Sequence, residues 1–208
     1  MGKYFDLYHY WRSSCSWRLR WVLNIKNVQY NLIPINLLAG EHKNDEYKIK
    51  NPSSVVPTLK IKDNYFGESL AIIEYIDESF PEPPLMPKDS ISRLKVKQLA
   101  YTISSGTQPL QNLSTQSYHS QRKEEQNRFA CYWIEKGFYS YEKQIKSSNG
   151  FYSFGNTVSL ADVCLIPQVY NAIRFGVDMD MFPKIFSVYN HCLEKDSCKK
   201  SHPDIYKP

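Results

Sequence analysis

No stretch of this chain stays apolar for the ~20 residues that a membrane helix needs, and its 208 residues hold no Cys-x-x-Cys, no His-Glu-x-x-His and no glycine-rich phosphate loop. Each absence removes a class of function. The first argues against a membrane-spanning protein. The second disfavours dithiol–disulfide exchange, because Arg18 occupies the position where a resolving thiol would follow Cys15. The third predicts no metal: His9, His42, His119, His191 and His202 show no ligand spacing. The eight glycines are scattered, so no nucleotide cradle is built from them. Met1 to Asp6 is polar and does not read as a signal peptide. The cysteines number five, an odd count, which points to free thiols in a reducing cytoplasm. A Cys192–Cys198 pair is the alternative. Basic residues form no clustered stripe, so nucleic acid is not an expected partner.

What is present supports a packed, two-part chain. Hydrophobic residues make up 42% and aromatics 14%, enough for a core. The net charge of +5 suits a solvated surface and attracts small anions. The first eighty residues alternate in pattern. Strand-like segments are Lys3 to His9, Tyr30 to Ile35, Thr58 to Lys62 and Tyr65-Phe66. Helix-like segments are Cys15 to Lys26, a short irregular one at Glu41 to Ile49, and Ser69 to Ser79 with Leu70, Ile73 and Ile76 at helical spacing. The order β-α-β-α-β-β-α implies an α/β layer on a short mixed sheet. Between Pro81 and Pro87 stand four prolines, which no helix or central strand tolerates. The reading is therefore an α/β domain over residues 1–80, a linker over 81–88, and an all-helical domain over 89–208. The second domain's helices are read at Ser90 to Ser104, Lys123 to Lys146, Ser159 to Arg174 and Pro183 to Glu194. Ser159 and Asp162 form a capping box with Asp in the place of Glu.

Three constellations carry chemistry. Ser13-Ser14-Cys15-Ser16-Trp17-Arg18 lies where a strand hands over to a helix N-terminus. Unpaired backbone N–H groups and the helix dipole stabilise an anion there, and a thiolate is an anion. Arg12 and Arg18 add positive charge. Because no second thiol stands at the resolving spacing, the site fits an external thiolate, with Ser13 and Ser14 as donors. In Val55-Val56-Pro57-Thr58 a proline precedes a strand. A cis bond there would leave the Val56 backbone free to pair with a peptide-like ligand; a trans proline opening an edge strand is the plainer reading. Gly67-Glu68-Ser69 begins a helix, with Ser69 as N-cap. The same groups would clamp the carboxylate and ammonium of an amino-acid end.

These constellations, in this order and ahead of a helical domain, resemble the glutathione transferases, and the zeta class in particular. The likeness extends to Pro34-Ile-Asn-Leu37, Ser69-Leu-Ala-Ile-Ile-Glu-Tyr75, Gln108-Pro-Leu-Gln-Asn-Leu113, Ala161-Asp-Val-Cys-Leu-Ile-Pro-Gln168 and Arg174-Phe-Gly-Val-Asp178. The resemblance implies a thioredoxin-like N-terminal domain with a cis Pro57, and glutathione as cofactor. It implies that Ser13 hydrogen-bonds the glutathione thiolate, that Ser14 and Cys15 line the same catalytic pocket, and that Ser16, Trp17 and Arg18 complete it. His42 would lie near the glycine end, Val56 would pair with the cysteinyl unit, and Glu68 and Ser69 would hold the γ-glutamyl end. Glu68 stands where close zeta relatives often carry Gln; other classes use Glu. Gln108, Asn112, Leu113 and Ser114 match site-facing helical positions. Arg174, with Arg12, would bind the carboxylates of a dianionic substrate. The implied activity is glutathione-dependent cis–trans isomerisation of maleylacetoacetate to fumarylacetoacetate in tyrosine and phenylalanine breakdown, by a cytoplasmic homodimer. Alternatives are transfer of glutathione to α-haloacids or other electrophiles, and a glutathione-fold binding protein without turnover.

Overall fold

A computed structural model describes residues 5–208; Lys3 and Tyr4 of the expected first strand lie outside the described residues. The chain divides into two compact units, one running to Pro84 and including Asp196–Pro208, the other Leu85–Lys195.

The first unit holds a four-stranded mixed sheet. Its strands are β1 (Phe5–His9), β2 (Tyr30–Pro34), β3 (Thr58–Ile61) and β4 (Asn64–Phe66), in the order β2-β1-β3-β4. β1 pairs parallel with β2, with Leu7 opposite Leu32, and antiparallel with β3, where Leu7 faces Leu59. The parallel pair needs a crossover, and helix α1 (Ser14–Ile25) supplies it. Between β2 and β3 lie a 3-10 turn (Glu41–Lys43) and the short helix α2 (Asp45–Lys50), resolving the irregular segment expected there. The hairpin from β3 to β4 turns on Lys62, at φ 56°. Helix α3 (Ser69–Ser79) follows with Ile72, Ile73 and Ile76 buried; Ile72 rather than the expected Leu70 completes its inner face. Phe5, Leu7, Leu19, Leu23, Leu59 and Ile76 are nearly or wholly buried. This is the thioredoxin-like arrangement that the resemblance implied.

α1 is buried almost all round, arginines included: Arg18 is 1% exposed and Arg20 0%. In the sequence these two, with Arg12, are the densest basic groups near Cys15. The structure buries both: Arg18 Nη1 donates to Ser69 Oγ and Arg20 Nε to the Ser201 carbonyl. The sequence reading carried the helical half to residue 208. The structure ends that unit at Lys195. Beyond it, helix α9 (Asp196–Ser201) packs on α1, and the indole N–H groups of Trp17 and Trp21 donate to Ser201 Oγ (3.0 Å) and Ser197 Oγ (3.2 Å). Lys26 closes the other end of α1, its buried ammonium 2.6 Å from both Asp77 Oδ1 and the Pro83 carbonyl.

The second unit is helical: α4 (Ser90–Ser104), α5 (Leu113–His119), α6 (Lys123–Ile145), α7 (Leu160–Phe175) and α8 (Pro183–Leu193). α7 is its axis, buried continuously from Leu160 to Val169 and packed on α4, α6 and α8. Its N-terminal capping box forms as expected. Asp162 accepts from the backbone N–H groups of Ser159 and Ser153, each at 2.8 Å. α6 passes so close to Thr107 that a Cβ on Gly137 would lie 2.0 Å from its hydroxyl oxygen, so only glycine fits.

Candidate functional site

The turn after β1 delivers Ser13 to the head of α1. Ser13 N–H donates to the Tyr10 carbonyl (3.1 Å), and Ser16 Oγ sits 3.4 Å from Tyr10 N. Ser13 is the N-cap, with φ −67° and ψ 123°, and its Oγ accepts from Ser16 N–H at 3.2 Å. A hydroxyl that accepts from the helix still has its own hydrogen to donate. No acidic residue stands in the first turn of α1. The positive end of the helix dipole is therefore not met by a carboxylate of that turn.

Cys15 is a half-buried free thiol two residues after Ser13, in the first turn of α1. Arg18 Nη1 reaches both its Sγ (3.6 Å) and Ser69 Oγ (3.2 Å). A single buried guanidinium thus joins the thiol at the head of α1 to the hydroxyl at the head of α3. Arg18 Nε and Nη2 are buried and have no hydrogen-bond partner. A buried charge with unused donors is costly unless something accepts from it. An anionic ligand with several acceptor oxygens fits that need.

Glu68, not the expected Ser69, is the N-cap of α3. The reason lies in the backbone: Glu68 stands at φ 61° and ψ 99°, where a helix cannot continue, and its carbonyl accepts from Ile72 N–H. Ser69 becomes the first helical residue, buried to 7% exposure, and gives its oxygen to Arg18 instead. Positive φ at a non-glycine residue is costly and concentrates at binding sites.

The Val56–Pro57 bond is cis. Val56 is buried among Tyr8, Tyr10 and Tyr47. Its loop is held from behind by groups that the sequence reading did not name. Tyr47 Oη and Asn51 Nδ2 both donate to the Val55 carbonyl, and both meet Thr58 Oγ1. The only sequence signal for them was turn chemistry at Asn51-Pro52, which says nothing of a network. His42 lies in the 3-10 turn, half-buried, with Nδ1 buried and without a partner. Burial, then the Lys43 charge, holds its pKa below the usual histidine value.

Ser14 is buried at 6% exposure. Ser16 and Trp17 are buried supports: Ser16 Oγ faces the Tyr10 N–H and the Trp17 indole faces Ser201. Arg12 is half-buried, its guanidinium 5.3 Å from the Trp11 ring centre.

The remaining expected residues belong to the second unit. Gln108, 8% exposed, donates to Asn112 Oδ1 at 2.6 Å, while Leu113 and Ser114 are exposed at the start of α5. Arg174 is exposed on the last turn of α7, bonded to Asn171 Oδ1 (2.9 Å) and lying beside the rings of Tyr170 and Phe175. Among the described residues no group of three His, Cys, Asp or Glu side chains could hold a metal ion, and no helix is long and apolar enough to cross a membrane.

Residues 7–84 match the family described as "Glutathione S-transferase, N-terminal domain". The chain is 44% identical to the maleylacetoacetate isomerase of Rattus norvegicus over 199 residues, covering 95% of this chain and 91% of that protein. It superposes on the holo structure of a maleylpyruvate isomerase, a bacterial zeta-class glutathione S-transferase, with TM-score 0.93 and 36% identity, covering 95% and 96% of the two chains. It superposes on the maleylacetoacetate isomerase of Anaeromyxobacter dehalogenans 2CP-1, with glutathione bound in the active site, at TM-score 0.88 and 34% identity, covering 98% and 96%.

Proposed function

We propose that this chain, which belongs to the maleylacetoacetate isomerase family of zeta-class glutathione S-transferases, is a glutathione-dependent cis–trans isomerase that converts maleylacetoacetate to fumarylacetoacetate, a step of tyrosine and phenylalanine breakdown. The observation that carries the reading is Ser13. It caps α1 with its oxygen and keeps its hydroxyl hydrogen for an anion at the positive end of that helix.

Glutathione fits the residues present, since Arg18 offers two buried, unused donors beside Cys15 and Ser69. When bound, it supplies a thiolate whose reversible addition to the cis alkene permits rotation before elimination restores a trans double bond. Ser13 donates to that sulfur and holds it ionised, and the head of α1 favours the negative charge. Ser14 and Cys15 line the pocket, and Cys15 tunes it without attacking. Arg18, Glu68 and Ser69 hold the γ-glutamyl end, Val56 pairs with the cysteinyl backbone, and His42 attends the glycine end. Ser16 and Trp17 act as scaffold for Ser13 and for α1. Arg12 and Arg174 take the substrate's carboxylates, with Gln108, Asn112, Leu113 and Ser114 as further contacts from the helical unit. The working form is a cytoplasmic homodimer.

The test is an isomerase assay with maleylacetoacetate, with and without glutathione. Turnover should require glutathione and return it unconsumed. Ser13→Ala should lower kcat about 100-fold, the cost of losing one donor to a developing anion. Cys15→Ala should alter affinity more than turnover. Full activity of Ser13→Ala would remove the basis of the assignment.

A further inference from the structure

Arg20 does no work in the mechanism above, yet each of its three guanidinium nitrogens is bonded inside the first unit. It is 0% exposed. Its Nε donates to the Ser201 carbonyl (3.1 Å), Nη1 to His9 Nδ1 (3.1 Å) and Nη2 to the Trp11 carbonyl (2.9 Å). The guanidinium carbon lies 4.8 Å from the centre of the Tyr206 ring. Among the described residues no carboxylate forms an ion pair with it. A buried cation without a counter-ion is retained here by three directed hydrogen bonds and one aromatic face.

The partners come from three places in the chain. His9 ends β1. Trp11 sits in the turn two residues before Ser13. Ser201 ends α9, and Tyr206 follows it. Tyr206 is itself fixed, its hydroxyl donating to the Lys200 carbonyl at 2.7 Å and its ring meeting the His9 ring edge-on at 5.9 Å. The planar fork of a guanidinium sets the angles between these partners, which the single point of an ammonium would not do.

We propose that residues 196–206 act through Arg20 as a positioning element for the turn Trp11–Ser13, making Arg20 and Tyr206 positioning residues for the isomerisation; this rests on the role given to Ser13 above. The Trp11 carbonyl is the point of transmission. With it anchored, the Ser13 N–H to Tyr10 carbonyl bond places the Ser13 hydroxyl at the head of α1. With Tyr206 gone, one side of Arg20 opens to water and the anchor loosens. Peptide-end contacts at α3 and the cis-proline loop do not pass through Arg20, so glutathione affinity should be spared while the placement of the sulfur suffers.

The test compares Tyr206→Ala, Arg20→Lys and a chain ended after His202 with Ser201→Ala, all in the full-length background except the shortened chain. Ser201→Ala removes the acceptor of the Trp17 indole but keeps the carbonyl that Arg20 uses. Hydrogen exchange of the peptide spanning residues 10–17 is read without any ligand. Steady-state kinetics and the ultraviolet band of bound thiolate follow. Tyr206→Ala, Arg20→Lys and the shortened chain should exchange faster in that peptide. They should lose about tenfold or more in kcat, since small misplacements of reacting groups cost this much, and show a weaker thiolate band. Their KM for glutathione should stay within roughly twofold, the mark of an interaction used beyond ground-state binding. Ser201→Ala should lower Tm alone. If Tyr206→Ala and Arg20→Lys also lower only Tm, with wild-type exchange at residues 10–17 and wild-type kcat, the hub is structural and the proposal fails. Should the shortened chain not fold, the two point variants decide. Exchange needs no glutathione, so its result stands apart from whether the wild-type protein uses it.

Discussion

Arg18 and Arg20 leave α1 two residues apart and meet different ends: one keeps two nitrogens without partners, the other spends all three. From sequence both read alike, as basic groups near a thiol. Periodicity reports which side of a helix is apolar, and it fails where the helix is buried on every side. His9 shows the consequence for pH. A guanidinium only donates, so His9 Nδ1 must accept from Arg20, which a protonated ring cannot do. Burial first, then the Arg20 charge, pulls its pKa from 6.5 down to about 3. Below pH 6.5 the unfolded chain gains a proton that the folded chain refuses until near pH 3. The group therefore contributes nothing above that window and removes stability within it, about 2 kcal/mol by pH 5. His9→Gln keeps an acceptor but cannot titrate. Its unfolding free energy should fall less steeply than wild type between pH 7 and 5 in urea titrations; parallel slopes would refute the account. Arg174 belongs to the same scale. It is exposed and lies beside two rings, and the proposed function gives it a substrate carboxylate. Arg174→Ala should raise KM for a dianionic substrate and leave that for glutathione nearly unchanged; an equal loss with an uncharged electrophile would contradict this.

Among the elements, those with a clear apolar period were legible: α3 and α4 agree with the sequence to the residue, and α1, α6, α7 and α8 to within one or two. α5 (Leu-Ser-Thr-Gln-Ser-Tyr-His) and α9 (Asp-Ser-Cys-Lys-Lys-Ser) were missed, being short and mostly polar. Their helicity comes from packing rather than pattern. Hydrogen-bond targets were legible only when local. The Ser159–Asp162 box was read as a cap worth about 1 kcal/mol, but Asp162 also accepts from Ser153, nine residues away, and from the Ser159 hydroxyl. Fully buried, its carboxyl is held above the ordinary carboxylate pKa by desolvation, against which these donors pull. Asp162→Ala would strand two buried backbone N–H groups and should cost roughly 3–4 kcal/mol, read as a lower midpoint in urea at unchanged slope. A loss below 1 kcal/mol would show that water reaches the site.

For the molecule as a whole, the sheet-then-helices plan was legible because proline density and the loss of strand pattern coincide at residues 81–87. The helix start at Ser13 was legible because serine-rich helix starts have a composition; the return of residues 196–208 to α1 was not, because nothing local marks a contact across 180 residues. The net charge of +5 acts at this scale too. It should draw in a dianion, so kcat/KM for such a substrate should fall several-fold as salt rises from 0.01 to 0.15 M and the Debye length shrinks from about 30 to 8 Å. A neutral electrophile should show no such slope, and a flat response for both would place the attraction at the pocket alone.

The two units also differ in when they can be finished. The sheet-bearing unit leaves the ribosome first but borrows α9, which is translated only after all of residues 85–195, a delay on the order of ten seconds. Through that interval the nascent chain carries two tryptophans and a buried-to-be arginine without the helix that covers them, while the later-made helical unit has its entire sequence as soon as Lys195 is added. Synthesis order and completion order are thus reversed, and the stretch of life most open to chaperones and proteases falls on the half that holds Ser13.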